Sequence, residues 1–114
     1  MNVIFTEKFK NDLKYYIRKK KYKNILVDIK SVVNELEQGH LVGDELEDIN
    51  VEGRTFKVRV ANSSANVGKS NGFRIIYYVV QDDNAYLLTI YSKKDDVKIP
   101  SDNEVKDLIN RSID

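Results

Sequence analysis

The hydrophobic period of the chain changes near residue 54, and this change constrains the fold more than any other feature. Before it, apolar residues recur every three or four positions; after it, Phe56, Val58 and Val60 alternate with polar neighbours. A period near 3.6 indicates an amphipathic helix, and a period of two indicates a strand with one buried face. The sequence therefore predicts helices in its first half and a sheet in its second.

The N-terminal half contains one short strand and two helices. The apolar run 3–5 predicts the strand, and Thr6 can cap a helix from about Glu7 to Lys20. A turn at 21–23 leads to a second helix that Gly39 can terminate. Two helices joined by so short a link are expected to form an antiparallel hairpin. Their apolar stripes are Phe9, Leu13, Tyr16 and Ile17, then Ile25, Ile29, Val32, Val33 and Leu36.

The C-terminal half predicts three strands and a last helix. Residues 40–53 predict a loop with one helical turn around 45–49, and 62–72 predict a polar loop. Strands are expected around 55–60, at 73–80 in a fully buried position, and at 85–92. Ser101 and Glu104 form a capping-box pattern ahead of the last helix, whose inward residues are Val105, Leu108 and Ile109. The order β-α-α-β-β-β-α predicts one α+β domain over 1–114, with a helical hairpin on an antiparallel sheet.

Composition excludes several classes of site. The 114 residues include no cysteine and one histidine, so neither a disulfide framework nor a thiolate or His-rich metal site is indicated. No apolar run approaches a signal peptide or a membrane span. We expect a protein of the reducing cytoplasm, without membrane contact, metal or organic cofactor.

Cations are concentrated on the predicted strands. The segment 54–94 carries seven of them against only Asp82 and Asp83. A sheet surface with this balance is suited to an anion, above all a phosphodiester. Residues 35–52 form a compensating acidic block, which we interpret as a solvated loop. The seven cations are Arg54, Lys57, Arg59, Lys69, Arg74, Lys93 and Lys94.

Three segments of this half together resemble a known superfamily. They are FKVRVA at 56–61, GKSNGFRIIYY at 68–78 and LLTIYSKKD at 87–95. With the predicted element order, they resemble the RelE/ParE superfamily of type II toxin–antitoxin toxins, and most of all its HigB-like branch. The GKSNG loop lacks the glycine spacing and following helix of a P-loop, so nucleotide hydrolysis is not indicated.

The resemblance implies a ribosome-dependent endoribonuclease that cuts mRNA in the ribosomal A site. It also implies a cognate antitoxin, often of helix-turn-helix type, through which operator DNA would be bound. By position, it assigns Lys57 and Arg59 on the basic strand, Arg74 on the central strand, and Lys93 and Lys94 at the last strand's exit. The chain departs from RelE in one respect, because DDVKIPSDNE at 95–104 has no tyrosine; the nearest aromatic hydroxyl is that of Tyr91.

RNA cleavage without a metal requires proton transfer and stabilisation of a phosphorane-like charge. We expect Lys57 or Tyr91 to move protons, and Arg59, Arg74 and Lys93 to hold the phosphate. The remaining cations, Arg54, Lys69 and Lys94, are assigned to RNA binding, whereas His40 is expected on the surface.

Three alternatives stay open. Arg74 could form a structural ion pair with Asp82, Asp95 or the acidic block. The chain could be a ParE-like inhibitor of DNA gyrase that catalyses nothing, because one fold supports both activities. It could also be a degenerate toxin that only binds its antitoxin.

Overall fold

The computed structural model describes residues 1–49, 51–81 and 83–112, and its fold is α+β as predicted. The element order agrees with the sequence analysis except for one added short strand and one divided helix. The strands are β1 Asn2–Phe5, β2 Asp44–Glu45, β3 Arg54–Val60, β4 Phe73–Val80 and β5 Asn84–Ser92. The helices are α1 Glu7–Arg18, α2 Ile25–Asp28, α3 Lys30–Glu37 and α4 Asp102–Ser112.

The five strands form one sheet in the order β1-β5-β4-β3-β2. Its pairs are antiparallel, as predicted, except for β1 and β5, which run parallel. Helices α1 to α3 carry the chain from β1 across the sheet to the edge formed by β2 and β3, and β4 and β5 then lead back to β1. As predicted, β4 is central, and it is buried from Phe73 to Val79.

The helices α1, α2 and α3 cover one face of the sheet. Their apolar stripes pack with Phe56, Val58 and Val60 and with alternate residues of β4 and β5 in the larger core. The sequence analysis predicted one second helix, but the helix divides at Ile29, where ψ is −8°. At this break the Asp28 carboxylate accepts a hydrogen bond from the Ser63 amide at 3.0 Å, a tertiary contact that no local pattern predicts.

Three predicted helix caps are confirmed. Thr6 accepts from the Phe9 amide at 3.4 Å, and Ser101 and Glu104 exchange side-chain to backbone bonds of 3.2 Å. Gly39 has φ +85°, and the Gly39 and His40 amides donate to the last turn of α3. This is the six-to-one and five-to-two pattern of a Schellman motif, in which glycine avoids the strain of a left-handed backbone.

The opposite face of the sheet carries a smaller core beneath α4. Val105, Leu108 and Ile109 of that helix point inward as predicted, and they pack with Ile49 from the segment before β3. A 3-10 turn spans Glu47–Ile49, in agreement with the helical turn expected there. The helix α4 lies against β5 and this turn, so it covers only part of the face.

Candidate nucleic-acid interface

Three of the residues assigned from the sequence lie side by side across the sheet. In the strand register, Arg59 of β3 is opposite Arg74 of β4, and Arg74 is opposite Tyr91 of β5. Strand alternation places this row on the face that carries α4, because Val58, Val60, Phe73 and Ile75 belong to the other core. The row lies where β3 and β5 end and β4 begins, at one end of the sheet.

Arg74 is buried, at 7% exposure, and its guanidinium is held by backbone carbonyls. It donates to the carbonyls of Lys69 and Ser70, both at 3.0 Å, and to that of Phe73 at 3.2 Å. Within the described residues it forms no ion pair, and the suggested partner Asp82 lies outside them. The alternative of an ion pair with Asp95 or with the described residues of the acidic block is therefore not seen. Carbonyl dipoles satisfy the charge, and Arg74 fixes the turn that carries Lys69.

Tyr91 belongs to the smaller core, at 4% exposure. The sequence analysis considered its hydroxyl for proton transfer, and the side chain packs beneath α4. Burial raises the pKa of its hydroxyl, and the charge of Arg74 opposes that rise. The hydroxyl is therefore neutral near pH 7 and would act only as a proton donor.

Further cations lie in the segments that carry this row or adjoin it. Arg59, Lys69, Lys93 and Lys94 are exposed, and Lys57 is half-buried on β3. None of the five forms an ion pair within the part of the chain that the structure describes. The turn of Lys69 is joined to that of Lys93, since the Lys93 amide donates to the Gly72 carbonyl at 2.9 Å. The fold thus brings cations from three separate segments to one end of the sheet.

Arg54 lies at the other end of β3 and already has an acidic partner. Its guanidinium donates to both carboxylate oxygens of Glu45, at 2.8 and 3.2 Å, and lies 5.0 Å above the Phe56 ring. These hydrogen bonds lower the pKa of Glu45. Asp44 is opposite Lys57 in the register of β2 and β3. The acidic block, predicted as a solvated loop, therefore provides an edge strand beside the basic one.

The turn that carries Lys93 and Lys94 is supported by contacts that were not predicted from the sequence. The Tyr16 hydroxyl of α1 accepts from the Ser92 amide at 2.7 Å and donates to the Asp95 carboxylate at 2.9 Å. Lys20 lies 3.7 Å from the same carboxylate. Burial raises the pKa of Tyr16, and hydrogen bonding to Asp95 adds to the rise. The only sequence signal was the place of Tyr16 on the apolar stripe, which indicates core and no more.

His40 is exposed as expected, and its Nδ1 lies 2.8 Å from the Glu35 carboxylate. Among the described residues, no group of three or more histidines and carboxylates could hold a metal ion. Nor is any helix in those ranges long and apolar enough to cross a membrane.

A protein-family model matches most of the chain. A family model described as the ParE toxin of the type II toxin–antitoxin system parDE matches residues 3–97, which include β1 from its second residue, all of β2 to β5, and every assigned cation. Comparison with individual curated proteins gave no match. Toxins of this kind pair with a cognate antitoxin. The chain therefore belongs to the ParE toxin family, within the RelE/ParE superfamily of type II toxin–antitoxin systems.

Proposed function

We propose that this toxin is an mRNA interferase, an endoribonuclease that cuts mRNA in the ribosomal A site. The observation that carries the proposal is the set of exposed cations without ion pairs around the Arg59, Arg74 and Tyr91 row. Cations without ion pairs on one surface attract a phosphodiester. A HigB-like activity remains the prediction from the strand motifs.

The proposed reaction is attack of the ribose 2′-oxygen on the adjacent phosphorus. The 2′-hydroxyl loses its proton, the new P–O bond forms, and the 5′-oxygen leaves with a proton. The products are a 2′,3′-cyclic phosphate and a 5′-hydroxyl end, so atoms and charge balance without a metal. Charge builds up on the non-bridging oxygens in the transition state, where fixed cations stabilise it most.

Each residue has a separate role in this proposal. Arg59 and Lys93 hold the scissile phosphate, since both are exposed and their segments end together. Lys57 transfers protons, because it is half-buried on the same face as Arg59, whereas Tyr91 is packed under α4. Arg74 is a positioning residue that acts through Lys69. Lys69 and Lys94 bind flanking phosphates, and Arg54 contributes only at the far end of β3.

Primer extension on a defined mRNA in cell-free translation, with and without ribosomes, tests the proposal. We expect cuts that require ribosomes and that fall about 100-fold in rate with Arg59→Gln. Arg111→Gln, an exposed arginine on α4, is the matched control and should cut like the wild type. Intact mRNA in the presence of active toxin, or equal cutting by Arg59→Gln, would overturn the proposal.

The superfamily also includes non-catalytic inhibitors of DNA gyrase, so inhibition of gyrase without catalysis is a second candidate. The burial of Tyr91 also leaves few groups for proton transfer. Purified toxin added to gyrase and relaxed plasmid separates the two candidates. Loss of supercoiling with intact mRNA would select gyrase inhibition, and normal supercoiling with cut mRNA would exclude it.

A further inference from the structure

The turn that follows β5 presents two lysines from a fixed backbone. The Asp95 amide donates to the Ser92 carbonyl at 3.0 Å, which closes a turn with Lys93 and Lys94 at its two central positions. Both lysine side chains are exposed, and neither forms an ion pair within the part of the chain that the structure describes. The turn therefore holds two cations at the surface with their charge available to an anion.

A carboxylate lies beside these lysines in the sequence but is bound elsewhere. Asp95 directly follows Lys94, and its side chain is 19% exposed. The carboxylate accepts a hydrogen bond from the Tyr16 hydroxyl at 2.9 Å and lies 3.7 Å from the Lys20 ammonium. Groups on α1 and just after it thus bind the carboxylate that the neighbouring lysines leave unpaired.

The position of the Tyr16 hydroxyl is fixed by packing. The side chain is 1% exposed, and its ring stacks on Tyr22 at 6.0 Å and meets Phe73 edge-on at 5.4 Å. The hydroxyl oxygen accepts from the Ser92 amide at 2.7 Å, which leaves its hydrogen for Asp95. Burial raises the pKa of Tyr16, so the hydroxyl remains a proton donor at neutral pH.

We propose that Tyr16 is a positioning residue of the RNA site, whose hydroxyl holds the Asp95 carboxylate away from Lys93 and Lys94. A lysine ammonium on its flexible four-carbon stem reaches a carboxylate one or two residues away once that carboxylate is released. Asp95 would then neutralise one cation of the turn and repel a phosphate at the other. The inference rests on the proposed function for the identity of the ligand, a phosphodiester of mRNA.

A double-mutant cycle tests the proposal through RNA binding. Fluorescence anisotropy with a short RNA oligonucleotide carrying 2′-O-methyl groups measures affinity without cleavage. We expect Tyr16→Phe to weaken binding about fivefold, and to lower the slope of log affinity against log salt by about 0.7, as for one lost phosphate contact. Asp95→Asn should recover about fivefold in the Tyr16→Phe background but gain less than about twofold in the wild type, where the carboxylate is already bound.

Two control variants separate this effect from a general change of charge. Asp96→Asn removes the next carboxylate, which is exposed, and should give the same small gain in both backgrounds. Tyr15→Phe removes a hydroxyl that makes no hydrogen bond within the described residues, and it keeps the ring that lies 4.1 Å from the Lys98 ammonium. It should bind RNA within about twofold of wild type.

Melting temperatures distinguish positioning from support of the fold. Tyr16→Phe takes the acceptor from the Ser92 amide with or without Asp95→Asn, so both proteins should melt below the wild type. If Tyr16 only supported the fold, the double variant would bind RNA as weakly as the single one. Should Tyr16→Phe not fold, Lys20→Gln at an exposed position gives a second cycle with Asp95→Asn, in which coupling of the same sign is expected.

Two results would overturn the proposal. One is wild-type RNA affinity in Tyr16→Phe, and the other is an equal gain from Asp95→Asn in both backgrounds of each cycle. Uncut mRNA in cell-free translation, together with the expected coupling in RNA binding, would count only against the interferase proposal. Absence of RNA binding by the wild-type toxin would overturn both proposals.

Discussion

The carboxylate of Asp12 on α1 accepts a hydrogen bond from the backbone amide of Ile90 on β5, at 3.1 Å. The strand β1 pairs with β5 only from Asn84 to Leu87, so the rest of that edge has no neighbouring strand there. Helix α1 covers it instead, with Asp12 at Ile90 and Tyr16 at Ser92. Side chains of a helix thus satisfy amides that an unpaired edge would leave without acceptors.

Replacing Asp12 with alanine should lower the free energy of unfolding by about 3 kcal/mol. The change leaves the Ile90 amide and the Thr89 hydroxyl, which donates to Asp12 at 2.5 Å, without their acceptor in a buried site. Urea denaturation followed by circular dichroism measures the loss. Asn11→Ala, at the exposed neighbouring position, is the control and should stay within about 0.5 kcal/mol of wild type. Equal stability of the two variants would show that α1 does not support this edge.

Stability should fall steeply above about pH 10, the ordinary tyrosine pKa. Burial raises the pKa of four of the seven tyrosines, namely Tyr16, Tyr77, Tyr78 and Tyr91. Because the folded pKa lies above the unfolded one, the neutral hydroxyls contribute full stability below pH 10. That contribution is lost as pH rises towards the folded values. Tyrosinate absorbance and circular dichroism followed together should show these four ionising as the protein unfolds; four ionisations in a folded protein would refute the burial.

Two glycines in one loop should respond oppositely to alanine. At Gly72 an added Cβ would lie 2.1 Å from the Val60 carbonyl, whereas at Gly68 it would meet nothing within 4 Å. Gly72→Ala must push β3 and β4 apart, so it should lower the free energy of unfolding by about 3 kcal/mol. Gly68→Ala should change the free energy of unfolding by less than about 0.5 kcal/mol. Denaturant unfolding of the pair measures this. Similar stability for both variants would contradict the close approach of the strands at Gly72.

Arg74→Met should lower the free energy of unfolding by about 2–3 kcal/mol, because carbonyls of the 69–73 segment lose a charged donor. Arg74→Lys should retain only part of the stability that Arg74→Met loses, since an ammonium cannot span two carbonyls as a guanidinium does. Arg59→Met, its exposed neighbour across the strands, should leave stability within about 0.5 kcal/mol. Denaturant unfolding measures the stability of each variant, and amide exchange at 69–72 shows whether the turn has loosened. Equal losses of stability in Arg59→Met and Arg74→Met would count against a positioning role for Arg74.

The sequence predicted the elements whose signals are local. The period-two pattern of β3, the apolar run of β4 and the Ser101 cap depend on neighbouring residues, and all three are confirmed. The strand motifs also predicted the superfamily, which the match over 3–97 confirms. The site assignments remain predictions, because the register shows that Arg59, Arg74 and Tyr91 are neighbours but not what they bind.

Only the tertiary structure decided what depends on residues far apart in the chain. No local pattern showed that β1 would pair parallel to β5, or that Glu45 would form an edge strand that holds Arg54. Arg74 and Lys57 are alike in sequence as cations on strands, yet one is bound to backbone carbonyls and the other forms no ion pair within the described residues. Burial and partners are set by which distant segments pack together, and the sequence of one strand does not contain that information.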